Sequence, residues 1–169
     1  VDSLLQARVQ SQPQNAAAAE AKSLLGRAAV ANAKIAYEAF GRLFSEEAFG
    51  SLRAQGARVQ RPLWASTSTK NPAYRDVYYV EELIGPDTVN TMPPATLEAF
   101  RDHGRVRESL TEDVDQAHAV VTRLKQLGID LDGILADLQT AGIEAFAQSF
   151  AALFQCIRER QTRLHQPQV

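Results

Sequence analysis

A run of hydroxyl side chains beside one lysine is the part of this 169-residue sequence whose residue types best suit chemistry. It comprises, in order, Ser66, Thr67, Ser68, Thr69, Lys70 and Asn71. The run overlaps the end of Val59–Thr67, an apolar and β-branched stretch that predicts a buried strand emerging at a polar site. Hydroxyls, loop N–H groups and one cation suit a phosphate monoester, which α/β proteins bind at the C-terminal ends of strands. The same composition is also typical of a solvated turn.

A second chemistry is open to Lys70. A desolvated lysine with a lowered pKa is the usual nucleophile that traps a carbonyl as a Schiff base. The polar neighbours of Lys70 argue against this role, because they would stabilise its ammonium form. The residue types therefore favour phosphate binding and leave the nucleophile as the alternative.

Helical patterns precede the run. The first 26 residues predict a short helix, a loop broken at Pro13 and the start of a new helix. The segment Ala16–Phe44 predicts one long helix, with an apolar stripe made of Val30, Ala33, Tyr37, Phe40 and Phe44. Ser45 is a predicted N-cap for a second helix that stops at Gly56.

The segments after the run alternate between strand and helix. Thr88–Met92 predicts a second strand, and Pro93 and Pro94 lead into a helix over Ala95–His103. Each strand precedes a helix, so parallel βα units are favoured over a hairpin. Thr111 is a predicted N-cap of a helix ending at Gly128, and two further helices meet near Gly142. The expectation is an α/β fold, mainly helical, with six or seven helices and two short parallel strands.

Composition and charge limit the classes of function that the sequence favours. A hydrophobic content of 45% is enough for the core of one domain, and a net charge of −2 disfavours nucleic acid or an anionic membrane as partner. No apolar run approaches the roughly 18 residues of a membrane span. The single cysteine, Cys156, is expected in a core and favours a reducing compartment, with cytoplasm as the default. His103, His118 and His165 lack ligand spacing, so no metal site is expected.

The central segment has a long, idiosyncratic sequence. The stretch QRPLWASTSTKNPAYRDVYYVEELIGPDTVNTMPPATLEAFRDHG closely resembles the C-terminal part of the longer bacterial and cyanobacterial type of transaldolase. The preceding GRAAVANAKIAYEAF and the opening VD are also similar to that family. The resemblance extends from Val1 to about Arg160.

This resemblance implies the C-terminal part of a (β/α)8 TIM barrel. Residues 1–57 are then helices after the sixth strand, residues 58–93 hold strands seven and eight with the phosphate loop, and residues 94–169 are C-terminal helices. It also implies a transferase of the pentose phosphate pathway. Such enzymes move a dihydroxyacetone unit between sugar phosphates, of the fructose 6-phosphate and sedoheptulose 7-phosphate class, through a lysine Schiff base without cofactor or metal.

The family pattern also assigns residues. Ser68 and Lys70 fall where the family places a serine and a basic residue against the substrate phosphate. Ser66 is an alternative for the serine, and Asn71 is expected to shape the loop. The resemblance thus supports phosphate binding by Lys70 over the nucleophile role.

The Schiff-base lysine of the family has no counterpart in this sequence. That lysine stands in a motif resembling Lys-Ile-Pro-Ala-Thr, a context that none of Lys22, Lys34, Lys70 and Lys125 shares. The chain is therefore expected to be a C-terminal half, inactive alone, with the missing N-terminal half or a second copy in a homodimer as its partner. The alternatives are a non-catalytic helical interaction module derived from transaldolase, or part of a transaldolase and phosphoglucose isomerase fusion.

Overall fold

Helices make up most of the structure, a computed structural model that describes residues 1–11 and 13–165. Eight α-helices lie within those residues: α1 (Asp2–Ser11), α2 (Ala16–Leu24), α3 (Ala28–Leu43), α4 (Glu46–Ala54), α5 (Tyr78–Glu82), α6 (Pro94–His103), α7 (Val114–Gln126) and α8 (Leu131–His165). A short 3-10 helix over Ser109–Thr111 precedes α7. The predicted six or seven helices are thus too few. The chain divides into two compact units, and the second begins at Asp130.

Two short strands, β1 (Leu63–Trp64) and β2 (Val89–Asn90), pair in parallel, with Leu63 opposite Val89. Helix α5 lies between them in the chain and α6 follows β2, so the predicted parallel βα units are confirmed. Both strands are shorter than predicted. Pro62 lacks an N–H at one end of β1, and Ser66 leaves the extended conformation with a φ of 58° at the other. Leu63 is 54% exposed, so the prediction of a buried strand is wrong for this residue.

The core of the first unit lies between helices. Helix α3 packs on α7, and α1 packs on α2. Small residues on α2 and α3 let the helices approach closely, and the buried positions of α3 are Ala28, Val30, Ala31 and Lys34. The predicted stripe of α3 is therefore displaced, since its aromatic members are only half-buried.

Some helix boundaries lie where local sequence signals predict them, and others do not. Ser45 caps α4 as predicted, because its Oγ accepts the N–H of Ala48 at 3.1 Å. The predicted single helix over Ala16–Phe44 is wrong, because Gly26 adopts a φ of 76° and separates α2 from α3. The predicted N-cap at Thr111 is also wrong, since α7 begins only after Asp113, which has a φ of 52°.

The second unit contains α8. The helix passes through Gly142 without a break, contrary to the prediction of two helices. A glycine in a helix interior costs about 1 kcal/mol, too little to end a long run of good helix formers. Cys156 on α8 is exposed, so its predicted core position is wrong. Among the described helices, none has the length and apolar content that a membrane span requires.

Candidate functional site

The predicted polar run forms a loop at the C-terminal end of β1. Thr67 fixes its beginning, because its buried hydroxyl donates to Asn90 Oδ1 at 2.7 Å and contacts the carbonyl of Thr91 at 3.3 Å. Asn90 belongs to β2, so one side chain joins the ends of both strands. The loop therefore begins from a fixed point.

The structure brings Lys70 and Ser68 together. Lys70 Nζ donates to Ser68 Oγ at 2.8 Å, and the lysine is exposed while the serine is half-buried. The hydroxyl of Ser66, the alternative serine, is exposed and makes no hydrogen bond to another described residue. Of the two candidate serines, Ser68 is the one held beside the cation.

Asn71 and Thr69 shape the rest of the loop. Asn71 Oδ1 accepts the N–H of Ala73 at 3.0 Å, and the carbonyl of Asn71 accepts the N–H of Tyr74 at 3.1 Å. Side chains of this type commonly close such turns on their own backbone. The hydroxyl of Thr69 donates across the loop to the carbonyl of Arg75 at 2.9 Å. These bonds enclose Lys70 in a hydrogen-bonded turn.

A histidine and two carboxylates lie beside the far side of the loop. His103 Nε2 lies 2.9 Å from Asp76 Oδ1, and its Nδ1 lies 3.1 Å from Asp102 Oδ2. The hydrogen bonds to Asp76 and then Asp102 raise the pKa of His103 above its ordinary value. The hydrogen bond from His103 lowers the pKa of Asp76 in turn.

Asp2 connects the start of α1 to the segment after the loop. Its two carboxylate oxygens each lie 3.1 Å from the N–H of Gly26, and Oδ2 also accepts the hydroxyl of Tyr74 at 2.8 Å. Burial and then this bond to Asp2 raise the pKa of Tyr74 to about 12. Tyr74 thus stays protonated and donating at any physiological pH.

A second polar cluster lies between α3, α5 and α7, beside a cleft of about 310 Å³. Lys34 is only 6% exposed, and its Nζ donates to the carbonyl of Glu112 at 2.9 Å and lies 3.9 Å from Glu82 Oε2. Arg107 binds the carboxylates of both Glu82 and Glu112. Arg27 and Asp113 are further charged residues at the cleft. Sequence reasoning assigned no role to this cluster.

Among the described side chains, His103 and His118 have different partners. Within the described part of the chain, no three His, Cys, Asp or Glu side chains are placed to hold a metal ion. His118 Nε2 lies 2.8 Å from Glu38 Oε2, whereas the side chain of His165 lies outside the described residues. The sequence placed Thr67 in the polar run without predicting its bond to Asn90, and it gave no role to Asp2 or Tyr74, because the partners of all three are distant in the chain.

Parallel βα units with a polar loop at the C-terminal end of a strand define an α/β protein. The family described as Transaldolase/Fructose-6-phosphate aldolase matches residues 3–157. A transaldolase of Thiobacillus denitrificans is 51% identical over 134 residues, which are 79% of this chain. The chain belongs to the Transaldolase/Fructose-6-phosphate aldolase family.

The relatives are much longer than this chain. A transaldolase 2 of Nostoc punctiforme is 46% identical over 144 residues, which are 84% of this chain and 38% of the relative. The match to the Thiobacillus protein covers 37% of that relative. A transaldolase of Trichodesmium erythraeum is 38% identical over 166 residues, 97% of this chain and 44% of the relative. The chain thus spans less than half the length of these proteins.

Proposed function

We propose that this chain is the C-terminal portion of a transaldolase, with β1 and β2 as the seventh and eighth strands of a (β/α)8 barrel. Residues 1–57 then follow the sixth strand, residues 58–93 carry the two strands and the loop, and residues 94–169 form the C-terminal helices. The parallel order β1, α5, β2, α6 supports this assignment. So does the 54% exposure of Leu63 on β1, because further strands of a barrel would cover such a residue.

The proposed activity of the whole enzyme is transfer of a dihydroxyacetone unit between sugar phosphates through a lysine Schiff base, without cofactor or metal. The reactive lysine belongs to the portion of the enzyme that this chain does not span. A Schiff-base lysine is typically desolvated and free to react, whereas Lys70 is exposed. The ammonium group of Lys34 already donates to the carbonyl of Glu112 and lies beside the carboxylate of Glu82. We therefore expect the chain to be inactive alone.

The contact between Lys70 and Ser68 is the observation that carries the proposal. An ammonium group has three donors, and the 2.8 Å bond to Ser68 Oγ uses one of them. The remaining N–H groups are available to phosphate oxygens at the exposed side of the loop. Because Ser68 accepts from Lys70, its own proton is free to point at the same phosphate. Lys70 and Ser68 thus bind the phosphate, Ser66 is the alternative hydroxyl, and Asn71 shapes the turn.

Titration with inorganic phosphate tests the site directly. The expected result is a shift of the backbone amide resonances of Ser68, Lys70 and Asn71, with an affinity that falls tenfold or more in Lys70→Ala. Lys125→Ala is the matched control, because Lys125 is an exposed lysine on α7. Equal affinities in Lys70→Ala and Lys125→Ala would contradict the assignment.

Borohydride trapping with fructose 6-phosphate tests the absence of the nucleophile. Intact mass spectrometry of the 169-residue chain is expected to detect no reduced sugar adduct. A longer transaldolase treated in parallel is the positive control. An adduct mapped to Lys70 would show that this lysine is the nucleophile and that the phosphate role is wrong.

A second candidate function is that of a helical interaction module. Apolar residues recur on α8 at alternating steps of three and four, and each is more than half exposed: Ile143, Phe146, Phe150, Leu153 and Ile157. This spacing is typical of a coiled-coil seam, which favours pairing with a second copy of the chain. A homodimer through α8 is the form this candidate takes.

Sedimentation of the chain over the micromolar range distinguishes this candidate. A concentration-dependent dimer that is lost in Phe150→Glu supports it. Gln148→Glu, an exposed change outside the seam, is the control and should leave the dimer intact. A monomer throughout the range, or loss of the dimer in both variants, would rule out the α8 seam.

A further inference from the structure

We propose that Asp2 and Tyr74 are positioning residues that hold the loop from Ser66 to Asn71 in its phosphate-binding conformation. The inference rests on the proposed phosphate site. In this role the two side chains act through their hydrogen bonds to Gly26 and to each other, and not by contact with the ligand.

Asp2 is a branch point for three hydrogen bonds. Both of its oxygens accept the N–H of Gly26 at 3.1 Å, and Oδ2 accepts the hydroxyl of Tyr74 at 2.8 Å. Bonds to an ionised carboxylate are shorter and stronger than bonds between neutral groups. All three are partly buried, which limits competition from water. Asp2 therefore fixes the position of Tyr74 against the turn that contains Gly26.

Gly26 also contacts the aromatic ring of Tyr74. A Cβ atom at Gly26 would lie 2.9 Å from Cζ of the Tyr74 ring, so only glycine allows this approach. The carbonyl of Gly26 also accepts the hydroxyl of Tyr78 at 3.3 Å. The tilted rings of Tyr74 and Tyr78 have centroids 5.9 Å apart. Tyr74 is thus held by its hydroxyl and by its ring, and both constraints meet at one turn.

The constraint on Tyr74 reaches Lys70 through the backbone. The N–H of Tyr74 donates to the carbonyl of Asn71 at 3.1 Å, and Asn71 Oδ1 closes the same turn on Ala73 at 3.0 Å. Lys70 immediately precedes this turn. The bond between Thr67 and Asn90 fixes the other end of the loop. With both ends attached, the ammonium of Lys70 stays beside Ser68. Without the hydroxyl of Tyr74, the loop keeps the bond from Thr67 to Asn90 and the bond from Thr69 to the carbonyl of Arg75, but it loses its link to Asp2.

A loop that samples the binding conformation only part of the time binds its ligand more weakly in proportion. Tyr74→Phe removes the hydroxyl and keeps the ring, so it isolates the bond to Asp2. Tyr37→Phe is the matched control, because Tyr37 donates a comparable 3.0 Å bond to the carbonyl of Pro86, away from the loop. Asp2→Asn keeps an acceptor oxygen for Tyr74 but loses the charge.

The test is titration of the full 169-residue chain and its variants with inorganic phosphate, followed by the amide resonances of Lys70 and Asn71. We expect a three- to tenfold weaker affinity in Tyr74→Phe, a smaller loss in Asp2→Asn and no change in Tyr37→Phe. Amide spectra recorded without phosphate establish that each variant is folded at the temperature used.

The outcomes separate the inference from the function on which it rests. Lys70→Ala serves as the reference for loss of the site. If Lys70→Ala abolishes binding while Tyr74→Phe matches the unmodified chain, the positioning role is wrong and the phosphate site stands. If Tyr37→Phe weakens binding as much as Tyr74→Phe, the effect is general loosening, and the inference fails. If the unmodified chain shows no binding that depends on Lys70, both proposals are overturned.

Discussion

Lys34 and Lys70 carry the same charge in opposite settings. Lys34 is 6% exposed on α3, with the Glu112 carbonyl at 2.9 Å and the Glu82 carboxylate at 3.9 Å. Lys70 is exposed on a loop and bound to one hydroxyl of a neighbouring residue. Burial requires an ammonium group to find partners, and those partners then occupy its donors. An exposed ammonium keeps donors for a ligand.

The contrast separates a charge that holds the fold together from the charge that we propose binds phosphate. The cluster around Lys34 joins α3, α5 and the segment before α7, and its charges pair with one another inside the fold. Thr67, Asn71 and Tyr74 hold the loop around Lys70, while Lys70 itself contributes no link between elements. Substitutions at Lys34 should therefore change stability, and those at Lys70 should change binding.

The largest effect is expected for Lys34→Met. The substitution leaves the carbonyl of Glu112 without its side-chain donor and removes one of the two cations beside Glu82, which should lower the free energy of unfolding by about 3 kcal/mol. Lys70→Met, on the exposed loop, should lower it by less than about 0.5 kcal/mol. Urea denaturation measures both. Equal losses in the two variants would mean that the two lysines do not differ as described.

A smaller loss is expected for Gly26→Ala. The φ of 76° and the Tyr74 ring at 2.9 Å from a new Cβ should together cost about 2 kcal/mol of unfolding free energy. Gly41→Ala is the control, because a Cβ there meets no described atom within 4 Å in the interior of α3. That change should stabilise the chain by about 0.5 kcal/mol, since alanine has the higher helix propensity. Thermal unfolding of Gly26→Ala and Gly41→Ala measures both effects and tests whether the Tyr74 ring that follows the Lys70 loop packs against Gly26.

Thr67→Val should have a more modest effect. The substitution keeps the side-chain shape and removes the hydroxyl bonded to Asn90, so about 1 kcal/mol of unfolding free energy should be lost. Thr91→Val, at an exposed position on the chain segment after β2, should change stability by less than about 0.5 kcal/mol. Chemical denaturation compares the two. If Thr67→Val were as stable as the unmodified chain, the hydroxyl of Thr67 would not join the two strand ends.

Local sequence signals predicted the parts of the fold that depend on local physics. Ser45 before two glutamates is a local N-cap signal, and Pro94 in the first turn of α6 is a local signal for the start of a helix. Gly26 escaped prediction because its break depends on Tyr74 and Asp2, both remote in the chain. The continuation of α8 through Gly142 escaped for the opposite reason, since a single glycine is a weak stop signal.

The site divides in the same way. Ser68 and Lys70 are two residues apart, and their contact was accessible to a sequence argument. Thr67 and Asn90 are separated by 23 residues, and Asp2 and Tyr74 by 72, so only tertiary structure brings each pair together. The burial of Lys34 could have been predicted from the sequence, because this residue lies four positions after Val30 on the buried face of α3. A lysine at that position requires buried partners, although the pattern alone does not name them.

The smallest effect concerns pH and His103, on the loop side of the comparison. Hydrogen bonds to Asp76 and Asp102 raise the pKa of His103 above 6.5 in the folded chain. Its contribution to stability is then complete below about pH 6.5 and is lost as pH rises through the raised pKa. At the acidic end, the contribution of Asp76 is lost as pH falls through its own pKa, which lies below 3.8. The stability difference between the unmodified chain and His103→Gln should therefore shrink as pH rises above about 6.5. Because the groups are exposed, the difference should stay below those at Lys34, Gly26 and Thr67, and urea midpoints across this range measure it. A difference that grew with pH would mean that the imidazolium does not pair with these carboxylates in solution.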